Sequence, residues 1–299
     1  MDVFTEIPEL SGSVLTIGVF DGVHLGHQAL LARLVDVARA HGVLAGVVTF
    51  DPYPDEFFLG KKGIALTLPE EREALLGEGG ADFVVRLRFD DSLADMTAEE
   101  FARTLLPARP RGFVLGPDFV FGRSRSGRAE DLARLTKPAP AVEVVPPFTH
   151  AGMIVSSTLI RSLLLKGEVA KARELLGRPY RISGVVVAGK GKGRDLGTPT
   201  ANLSVDARKL VPAPGVYAAR AWAGDQPYTA GVFIGAGEIE SRSIEAHLIG
   251  YRGPDLYGSV LALDLVEFVR KPEQFADDRT LASRIRSDLE VIADLVGRR

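Results

Sequence analysis

The first half of the chain alternates apolar runs with helix-like patterns, and this alternation constrains the fold more than any other feature. Residues 14–19, 43–50 and 83–87 are dominated by apolar side chains, as expected of strands that are buried on both faces. Between the first two runs, residues 28–41 repeat apolar side chains at helical spacing, and Gly42 follows as a helix stop. Shorter segments continue the pattern, with helices predicted at residues 70–76 and 98–106 and strands at 112–115 and 142–145. This order predicts an α/β protein whose first part is a Rossmann-like parallel sheet covered by helices.

The pattern changes after Gly177, where strand-like segments follow one another without helices between them. These segments are residues 182–187, 215–221, 228–234, 243–248 and 259–268. Closely spaced strands joined by Gly and Pro turns predict an antiparallel β-barrel. The chain then ends in a helical pattern over residues 279–296, with Asp278 as its expected N-cap. We therefore predict two domains, residues 1–178 and residues 179–299.

Composition and charge narrow the functional classes. The 299 residues suit two domains, and the net charge of −3 provides no broad basic field for nucleic acid or for an acidic membrane surface. The chain has no cysteine, which excludes disulfides and thiolate metal sites and favours a cytoplasmic location. No apolar run is long enough for a membrane span, and residues 1–10 carry acidic side chains instead of a signal-peptide pattern. We expect small-molecule partners, with neither nucleic acid nor membrane. The oligomeric state stays open, a homo-oligomer included.

A glycine-rich turn with two histidines follows the first apolar run. The segment runs Gly18-Val-Phe-Asp-Gly-Val-His24-Leu-Gly-His27 and leads directly into the first helix. Such a turn lets phosphate approach backbone N–H groups, the start of a helix favours an anion, and imidazoles stabilise charge on a reacting phosphate. Two histidines at this spacing also fit a surface pair or a metal pair, although no third ligand is evident nearby.

Two other segments of the first half fit a nucleotide. Residues 154–161 combine hydroxyl side chains, a helix start and Arg161, which suits the outer phosphates of a nucleoside triphosphate, although an isolated Ser-Ser-Thr is more often a helix cap. Residues 116–122 form a Gly-bounded segment with Asp118 and two phenylalanines, which alternatively belong to the core. Three arginines follow and either meet phosphate or stay solvated: Arg123, Arg125 and Arg128.

The second half carries a separate set of polar residues. A Gly- and Lys-rich loop, residues 189–194, precedes Thr198-Pro-Thr-Ala-Asn202. The loop lacks the spacing of a P-loop, but hydroxyl and amide oxygens are ligands that Mg²⁺ accepts. Glu245 and His247 alternate with apolar residues, so both face the same side of a predicted strand. A carboxylate beside ATP is suited to deprotonating an alcohol, and the alternative is a solvated outer face.

These motifs together resemble those of one family. The His-x-Gly-His turn and residues 154–161 resemble two motifs of the nucleotidyltransferase superfamily, whose members attack the α-phosphate of a nucleoside triphosphate and release pyrophosphate. Residues 116–122 resemble the Gly-x-Asp-Phe-x-Phe-Gly segment of bacterial FAD synthetases, and residues 199–202 resemble the Pro-Thr-Ala-Asn motif of riboflavin kinases. The chain as a whole is similar to the prokaryotic bifunctional riboflavin kinase/FMN adenylyltransferases, over nearly its entire length and with the same order of motifs.

The resemblance implies two reactions and a role for each residue. The C-terminal domain is expected to phosphorylate riboflavin with ATP to give FMN, and the N-terminal nucleotidyltransferase domain to adenylylate FMN with a second ATP to give FAD. The implied catalytic residues are His24, His27 and Glu245, the last as the base for the ribityl 5′-hydroxyl, and the implied Mg²⁺ ligands are Thr200 and Asn202. The implied nucleotide-binding residues are Gly18, Phe20, Asp21, Gly22, Gly26, Asp118, Ser156, Ser157, Thr158, Arg161, Gly189, Gly191, Gly193 and Thr198.

The sequence departs from the family pattern at three places. Tyr53 stands where the family often has the His of Pro-His-Pro, and Leu159 replaces the middle Arg of a common Ile-Ser-Ser-Thr-Arg-Ile-Arg motif. Residues 233–238 replace a segment with Asn-Ile-Gly and Pro-Thr-Phe that helps form the substrate region of the kinase. Two alternatives therefore stay open: an FMN adenylyltransferase whose kinase domain has decayed, and a non-catalytic regulator that binds a flavin or a nucleotide.

Overall fold

Contacts between residues divide the chain into two compact units. The computed structural model describes residues 1–60, 62–189, 198–237 and 242–297. Unit 1 comprises Met1–Lys61 and Leu66–Ser157, and unit 2 comprises Lys62–Ala65 and Thr158–Arg299. The predicted boundary near residue 178 lies within unit 2 by this division, and as a boundary between two activities it stays a prediction.

Unit 1 is built on a parallel sheet. Its strands in the described residues are, in chain order, β1 (Asp2–Phe4), β2 (Ser13–Ile17), β3 (Leu44–Asp51), β4 (Phe83–Arg88), β5 (Pro110–Leu115), β6 (Val120–Phe121), β7 (Gly127–Arg128), β8 (Ala141–Val144), β9 (Thr149–His150) and β10 (Met153–Ile154). Six of them form a sheet of order β1-β4-β3-β2-β5-β8, in which every neighbouring pair is parallel. The other four form the short antiparallel pairs β6–β7 and β9–β10. The prediction of a parallel α/β sheet is confirmed.

Helices cover both faces of this sheet. They are α1 (Leu25–His41), α2 (Pro54–Leu59), α3 (Pro69–Glu78), α4 (Asp91–Ala94), α5 (Ala98–Thr104) and α6 (Ala129–Leu135). Successive residues of a strand point to opposite faces. Val14 accordingly packs in a cluster with Leu31 of α1, and Leu15 packs in another with Phe101 of α5. All five residues of β2 are buried, which explains its apolar sequence, and the strand ends at Ile17 because the glycine-rich turn begins there.

Unit 2 contains a closed antiparallel barrel preceded by two helices, α7 (Ser157–Leu164) and α8 (Val169–Leu176). Its strands are β11 (Tyr180–Val187), β12 (Ala201–Ser204), β13 (Gly215–Ala223), β14 (Gln226–Ile234), β15 (Ile244–Leu248) and β16 (Val260–Arg270). The barrel order is β11-β12-β15-β14-β13-β16, and all neighbouring strands are antiparallel. The predicted barrel and its five predicted strands are confirmed, whereas β12 was not predicted as a strand.

The last helix, α9 (Asp278–Gly297), packs on the outside of the barrel. Its Ile292 belongs to a buried cluster with Ala218 of β13, and a Cβ on Gly231 of β14 would lie 3.1 Å from the Ile292 side chain. The predicted N-cap is wrong by one residue. Asp278 is the first residue of the helix, and the carboxylate of Asp277 accepts the Thr280 N–H at 2.7 Å. The N-cap residue precedes the first helical residue, and from there its side chain accepts a backbone N–H of the first turn. Asp277, and not Asp278, has this position.

Among the described residues, no helix combines the length and the apolar character that crossing a membrane requires.

Candidate active sites

The histidine turn lies at the carboxyl end of β2, in the middle of the parallel sheet. Strand β2 pairs with β3 on one side and with β5 on the other, so the strand order runs outwards from β2 in opposite directions. In open α/β sheets, the crevice at such a reversal is where ligands bind. The turn connects the end of β2 to the start of α1 and therefore lies at this crevice.

Three residues of the turn adopt a positive φ. The angle is 53° at Phe20, 82° at Gly22 and 38° at Val23. Residues other than glycine rarely adopt such angles, so the surrounding structure must hold them. The N–H of Val23 donates to the carbonyl of Phe20 at 3.1 Å and closes the turn. Gly18 leaves room for the Phe20 ring, since a Cβ at Gly18 would lie 3.2 Å from that ring.

The two predicted catalytic histidines lie together at the start of α1. His24 is the N-cap of the helix and is only 5% exposed. Its Nδ1 accepts the N–H of His27 at 3.3 Å, and an accepting nitrogen carries no proton, so the neutral His24 ring is protonated on Nε2. A Cβ on Gly26 would lie 3.2 Å from the His24 ring, so glycine permits this close packing. The start of a 17-residue helix offers N–H groups and a positive dipole end to an anion.

Asp21 and Ser157 meet at the same turn. The carboxylate of Asp21 is buried and accepts hydrogen bonds from the N–H groups of Leu66 and Thr67, at 2.9 and 3.0 Å. The hydroxyl of Ser157 donates to the backbone carbonyl of Asp21 at 2.9 Å. The structure thus brings Ser157, the last residue of unit 1, to the histidine turn.

The rest of that motif is divided between the units. Ser156 is partly buried in unit 1, whereas Thr158 is exposed and Arg161 is partly buried in unit 2. The guanidinium Nε of Arg161 donates to the carbonyl of Ile64 at 2.8 Å, within unit 2. Nucleotide binding by these residues stays a prediction.

The segment with Asp118 follows β5, the neighbour of β2 in the sheet. Asp118 is exposed. The ring of Phe121 is buried and stacks on Phe119 with 5.5 Å between centroids, and Phe121 lies 5.6 Å from the Phe101 ring. These contacts place Phe121 in the core, which was the alternative for the two phenylalanines. The arginines that follow are exposed, and their contact with phosphate stays untested: Arg123, Arg125 and Arg128.

A second site lies on the outer face of the barrel, around Glu245. The buried residues of β15 are Ile244, Ala246 and Leu248, so Glu245 and His247 share the opposite face, as their alternation predicts. The hydroxyl of Thr200 donates to Glu245 Oε2 at 3.3 Å.

His247 fixes the segment in front of β12. Its Nδ1 lies 2.8 Å from the carbonyl oxygen of Pro199. A carbonyl can only accept, so His247 carries a proton on Nδ1. This bond ties the segment with Thr198 and Thr200 to β15.

The neighbours of Glu245 on the adjacent strands are Asn202 and Phe233. In the sheet register, Asn202 of β12 pairs with Glu245, and Phe233 of β14 pairs with Glu245 from the other side. Directly paired residues of antiparallel strands share a face, so the three side chains form a row. Phe233 is 38% exposed, which places an accessible aromatic ring beside the predicted base, where the family pattern has a different segment.

Gly189 and Thr198 border the same row. A Cβ on Gly189 would lie 2.0 Å from Asn202 Nδ2, so any larger residue at this position would displace that amide. The Oγ1 of Thr198 is buried and has no hydrogen-bond partner in the part of the chain that the structure describes. Gly191 and Gly193, predicted to bind nucleotide, lie outside the described residues, as does Glu238 of the altered segment.

The described residues include no group of three or more His, Asp or Glu side chains that could hold a metal ion.

Sequence reasoning missed the residues that support the histidine turn. Thr67 and Arg72 are both buried next to it, although they lie far from it in sequence. No sequence signal marks Arg72, because arginines are usually exposed and the sequence does not reveal which of them is buried.

Two family models match this chain, one in each half. The family model described as FAD synthetase matches residues 6–159, and the one described as riboflavin kinase matches residues 176–296. A bifunctional riboflavin kinase/FMN adenylyltransferase of Pseudomonas fluorescens is 36% identical over 290 residues, covering 94% of this chain and 92% of its own. The protein of the same description from Escherichia coli K12 is 36% identical over 288 residues, covering 93% of this chain and 90% of its own.

A solved structure extends the similarity to the whole fold. A crystal structure described as a macrolide-efflux protein from Streptococcus pneumoniae superposes with a TM-score of 0.88 at 31% identity, covering 97% of each chain. Both family models and both relatives point the same way, and the chain belongs to the family of bifunctional riboflavin kinase/FMN adenylyltransferases.

Proposed function

We propose that unit 2 phosphorylates riboflavin with ATP to give FMN, and that unit 1 adenylylates FMN with a second ATP to give FAD and pyrophosphate. The observation that carries the proposal is the presence of two separate sites of the right chemistry. One has two imidazoles at a helix N-terminus, and the other has a carboxylate bonded to the hydroxyl of Thr200.

In unit 1, an oxygen of the FMN phosphate attacks the α-phosphorus of ATP. The new bond joins that oxygen to the α-phosphorus, and the bond from the α-phosphorus to the bridging oxygen of pyrophosphate breaks. No covalent enzyme intermediate is needed, because positioning and charge stabilisation lower the barrier. His24 offers Nε2–H as a donor, and His27 lies against it to share the developing negative charge.

In unit 2, Glu245 is the base. Its carboxylate takes the proton of the ribityl 5′-hydroxyl, whose oxygen forms a bond to the γ-phosphorus of ATP while the bond to the ADP oxygen breaks. Thr200 orients the carboxylate through its hydrogen bond of 3.3 Å. His247 holds the segment that carries Thr200 by its bond to the Pro199 carbonyl.

We propose Thr200 and Asn202 as the residues that hold Mg²⁺. The donor set fits the ion, because Mg²⁺ prefers hard oxygen ligands and few protein contacts when phosphates are present. The Thr200 hydroxyl uses its proton toward Glu245, so its lone pairs are left to face a cation. When bound, Mg²⁺ neutralises charge on the ATP phosphates.

The residues assigned to nucleotide binding remain part of the proposal, with Asp21 contributing through the shape of the turn because its carboxylate is bonded to Leu66 and Thr67. Ser157 is supported by its bond to the Asp21 carbonyl at the histidine turn, and Gly189 by its approach to Asn202. We further propose a cytoplasmic location, which the absence of cysteine supports. Partners limited to small molecules complete the proposal, and size-exclusion chromatography with light scattering would decide whether the protein is a homo-oligomer.

The decisive experiment supplies the purified protein with riboflavin, ATP and Mg²⁺ and separates riboflavin, FMN and FAD by chromatography. We expect FMN to form first and FAD to follow. FAD formed from added FMN but none from riboflavin would indicate an adenylyltransferase with a decayed kinase. Tight flavin binding with no turnover of either substrate would indicate a regulator.

A further inference from the structure

We propose that Tyr53, Thr67 and Arg72 form a buried network that positions the histidine turn for adenylyl transfer, and that Asp21 belongs to it as a positioning residue. This inference rests on the function proposed for unit 1. Tyr53 lies in the loop after β3, Thr67 lies two positions before α3, and Arg72 lies in α3 itself. All three are almost fully buried.

Tyr53 connects the turn to the segment before α3. Its hydroxyl lies 2.8 Å from Asp21 Oδ1 and 2.7 Å from the carbonyl of Thr67, so a single proton serves two acceptors. Burial, together with the neighbouring carboxylate of Asp21, raises the pKa of Tyr53 far above its ordinary value. The hydroxyl therefore stays protonated at neutral pH and can act as a donor there.

Thr67 holds the next residue of the turn. Its hydroxyl accepts the N–H of Gly22 at 3.0 Å and donates to Asp21 Oδ1 at 3.3 Å. Its own N–H donates to Asp21 Oδ1 at 3.0 Å. Oδ1 of Asp21 thus has Tyr53, Leu66 and Thr67 as partners inside the protein, which makes this carboxylate a support of the turn.

Arg72 holds the strand end that leads into the turn. Its guanidinium donates to the carbonyl of Val19 at 3.2 Å and to that of Phe50 at 2.9 Å, and it lies over the Tyr53 ring at 4.7 Å. Arg72 is 0% exposed, and a buried charge is tolerated only with such partners. Tyr53 thus contacts a cation through its ring and the Asp21 carboxylate through its hydroxyl, so the network contains one charge of each sign.

The network therefore fixes both neighbours of Phe20, the first residue of the turn with a positive φ. Val19 is held by Arg72, and Asp21 is held by Tyr53 and Thr67. None of the three needs to reach a substrate, because a small displacement of the turn moves His24, and misplacement by about 1 Å can cost on the order of 10²-fold in rate.

The test compares Tyr53→Phe, Thr67→Val and Thr67→Ser in steady-state assays of FMN adenylylation, with riboflavin phosphorylation by the same preparation as an internal control. Tyr53→Phe keeps the ring and removes only the hydroxyl. We expect its kcat for adenylylation to fall roughly tenfold, with KM values for ATP and FMN changed by less than about twofold. The kcat of Thr67→Val is expected to fall by a similar factor. Thr67→Ser should retain most of the wild-type kcat because it keeps the hydroxyl.

Combining Tyr53→Phe with Thr67→Val should cost less than the product of the two single effects, since both act on one network. The matched control Tyr228→Phe, in the barrel, should leave adenylylation unchanged. If Tyr53→Phe and Thr67→Val lower only the melting temperature and keep the wild-type kcat, the network is merely structural and the inference fails. If Tyr53→Phe does not fold, the inference is tested by comparing the kcat of Thr67→Val with that of Thr67→Ser. Equal values for these two variants would then overturn it. A wild-type protein that does not adenylylate FMN would overturn the function proposed for unit 1 and this inference with it.

Discussion

The imidazole rings of His24 and His27 are stacked, with 3.7 Å between their centroids and 15° between their planes. The His24 ring is neutral while its Nδ1 accepts the His27 N–H. Two positively charged rings at this separation would repel each other strongly. The function proposed for unit 1 places a polyphosphate beside these rings, where its negative charge would reduce such repulsion.

Replacing His27 by alanine should slow FMN adenylylation. The substitution removes one of the two donors that we propose for the reacting phosphates, and we expect a loss of roughly 10²–10³-fold in kcat, the scale of one transition-state donor. Riboflavin phosphorylation should be unchanged. His41→Ala, at the far end of the same helix, is the matched control. A loss below about tenfold would make the His27 ring a packing element.

Gly26→Ala should separate stability from activity. Alanine is favoured over glycine within a helix by about 0.5–1 kcal/mol, but its Cβ would lie 3.2 Å from the His24 ring. We expect an unchanged or higher melting temperature together with slower adenylylation. The melting curve and the kcat of one preparation check this, and a variant with wild-type kcat would show that the His24 ring can shift without consequence.

Glu245→Gln should stop FMN formation while FMN is still converted to FAD. The amide keeps the shape of the side chain but cannot accept the proton of the alcohol. A product-resolved assay started from riboflavin and, separately, from FMN measures both steps. Glu290→Gln, exposed on α9, is the control. Loss of both activities in a folded Glu245→Gln protein would contradict the division into two sites.

Phe233→Asn should raise the KM for riboflavin more than the KM for ATP. Phe233 and Asn202 flank Glu245 from opposite sides, and Asn202 is assigned to the metal and phosphate side. Losing the exposed aromatic surface is expected to raise the KM for riboflavin by roughly threefold to tenfold, equivalent to about 1 kcal/mol of apolar contact. A change confined to the KM for ATP would show that riboflavin does not bind beside Phe233.

Asp288→Ala should weaken the attachment of α9 to the barrel. The Asp288 carboxylate accepts from Nε and Nη2 of Arg270 at 2.9 and 2.7 Å, and both side chains are largely buried. Removing one partner of such a pair leaves a buried charge and typically costs about 3–5 kcal/mol. Denaturant unfolding should show this loss in the free energy of unfolding of unit 2. A loss below about 1 kcal/mol would mean that the pair contributes no more than an exposed ion pair.

The sequence predicts the architecture well because its signals are local. Strand β2 is buried on both faces, so its apolar residues need no alternation, while β15 alternates because one face is exposed. Both patterns can be recognised within a few residues. The four-residue strand β12 has no such pattern, because only Leu203 in it is buried. It is a strand through its pairing with β11 and β15, which the sequence does not show.

The residues that hold the histidine turn in place could not be predicted from local sequence patterns. Asp21 resembles a ligand-facing acid in sequence, yet its partners come from Tyr53 and Thr67, which are 32 and 46 residues away. Nothing local to Asp21 specifies these contacts, because they arise only once β3 and α3 have packed beside β2. The position of the histidines was therefore predictable, but what holds them in place was not.

The division of the chain has a practical consequence for anyone who wishes to produce the two units separately. The backbone enters unit 2 at Lys62, leaves it after Ala65 and returns at Thr158. Within unit 2, Ala65 accepts the N–H of Leu210 at 2.8 Å, and the Ile64 carbonyl accepts Arg161 Nε at 2.8 Å. A fragment that starts at residue 158 or later lacks both acceptors. Point substitutions in the full-length chain keep both contacts, so they test one site without removing these two hydrogen bonds from unit 2.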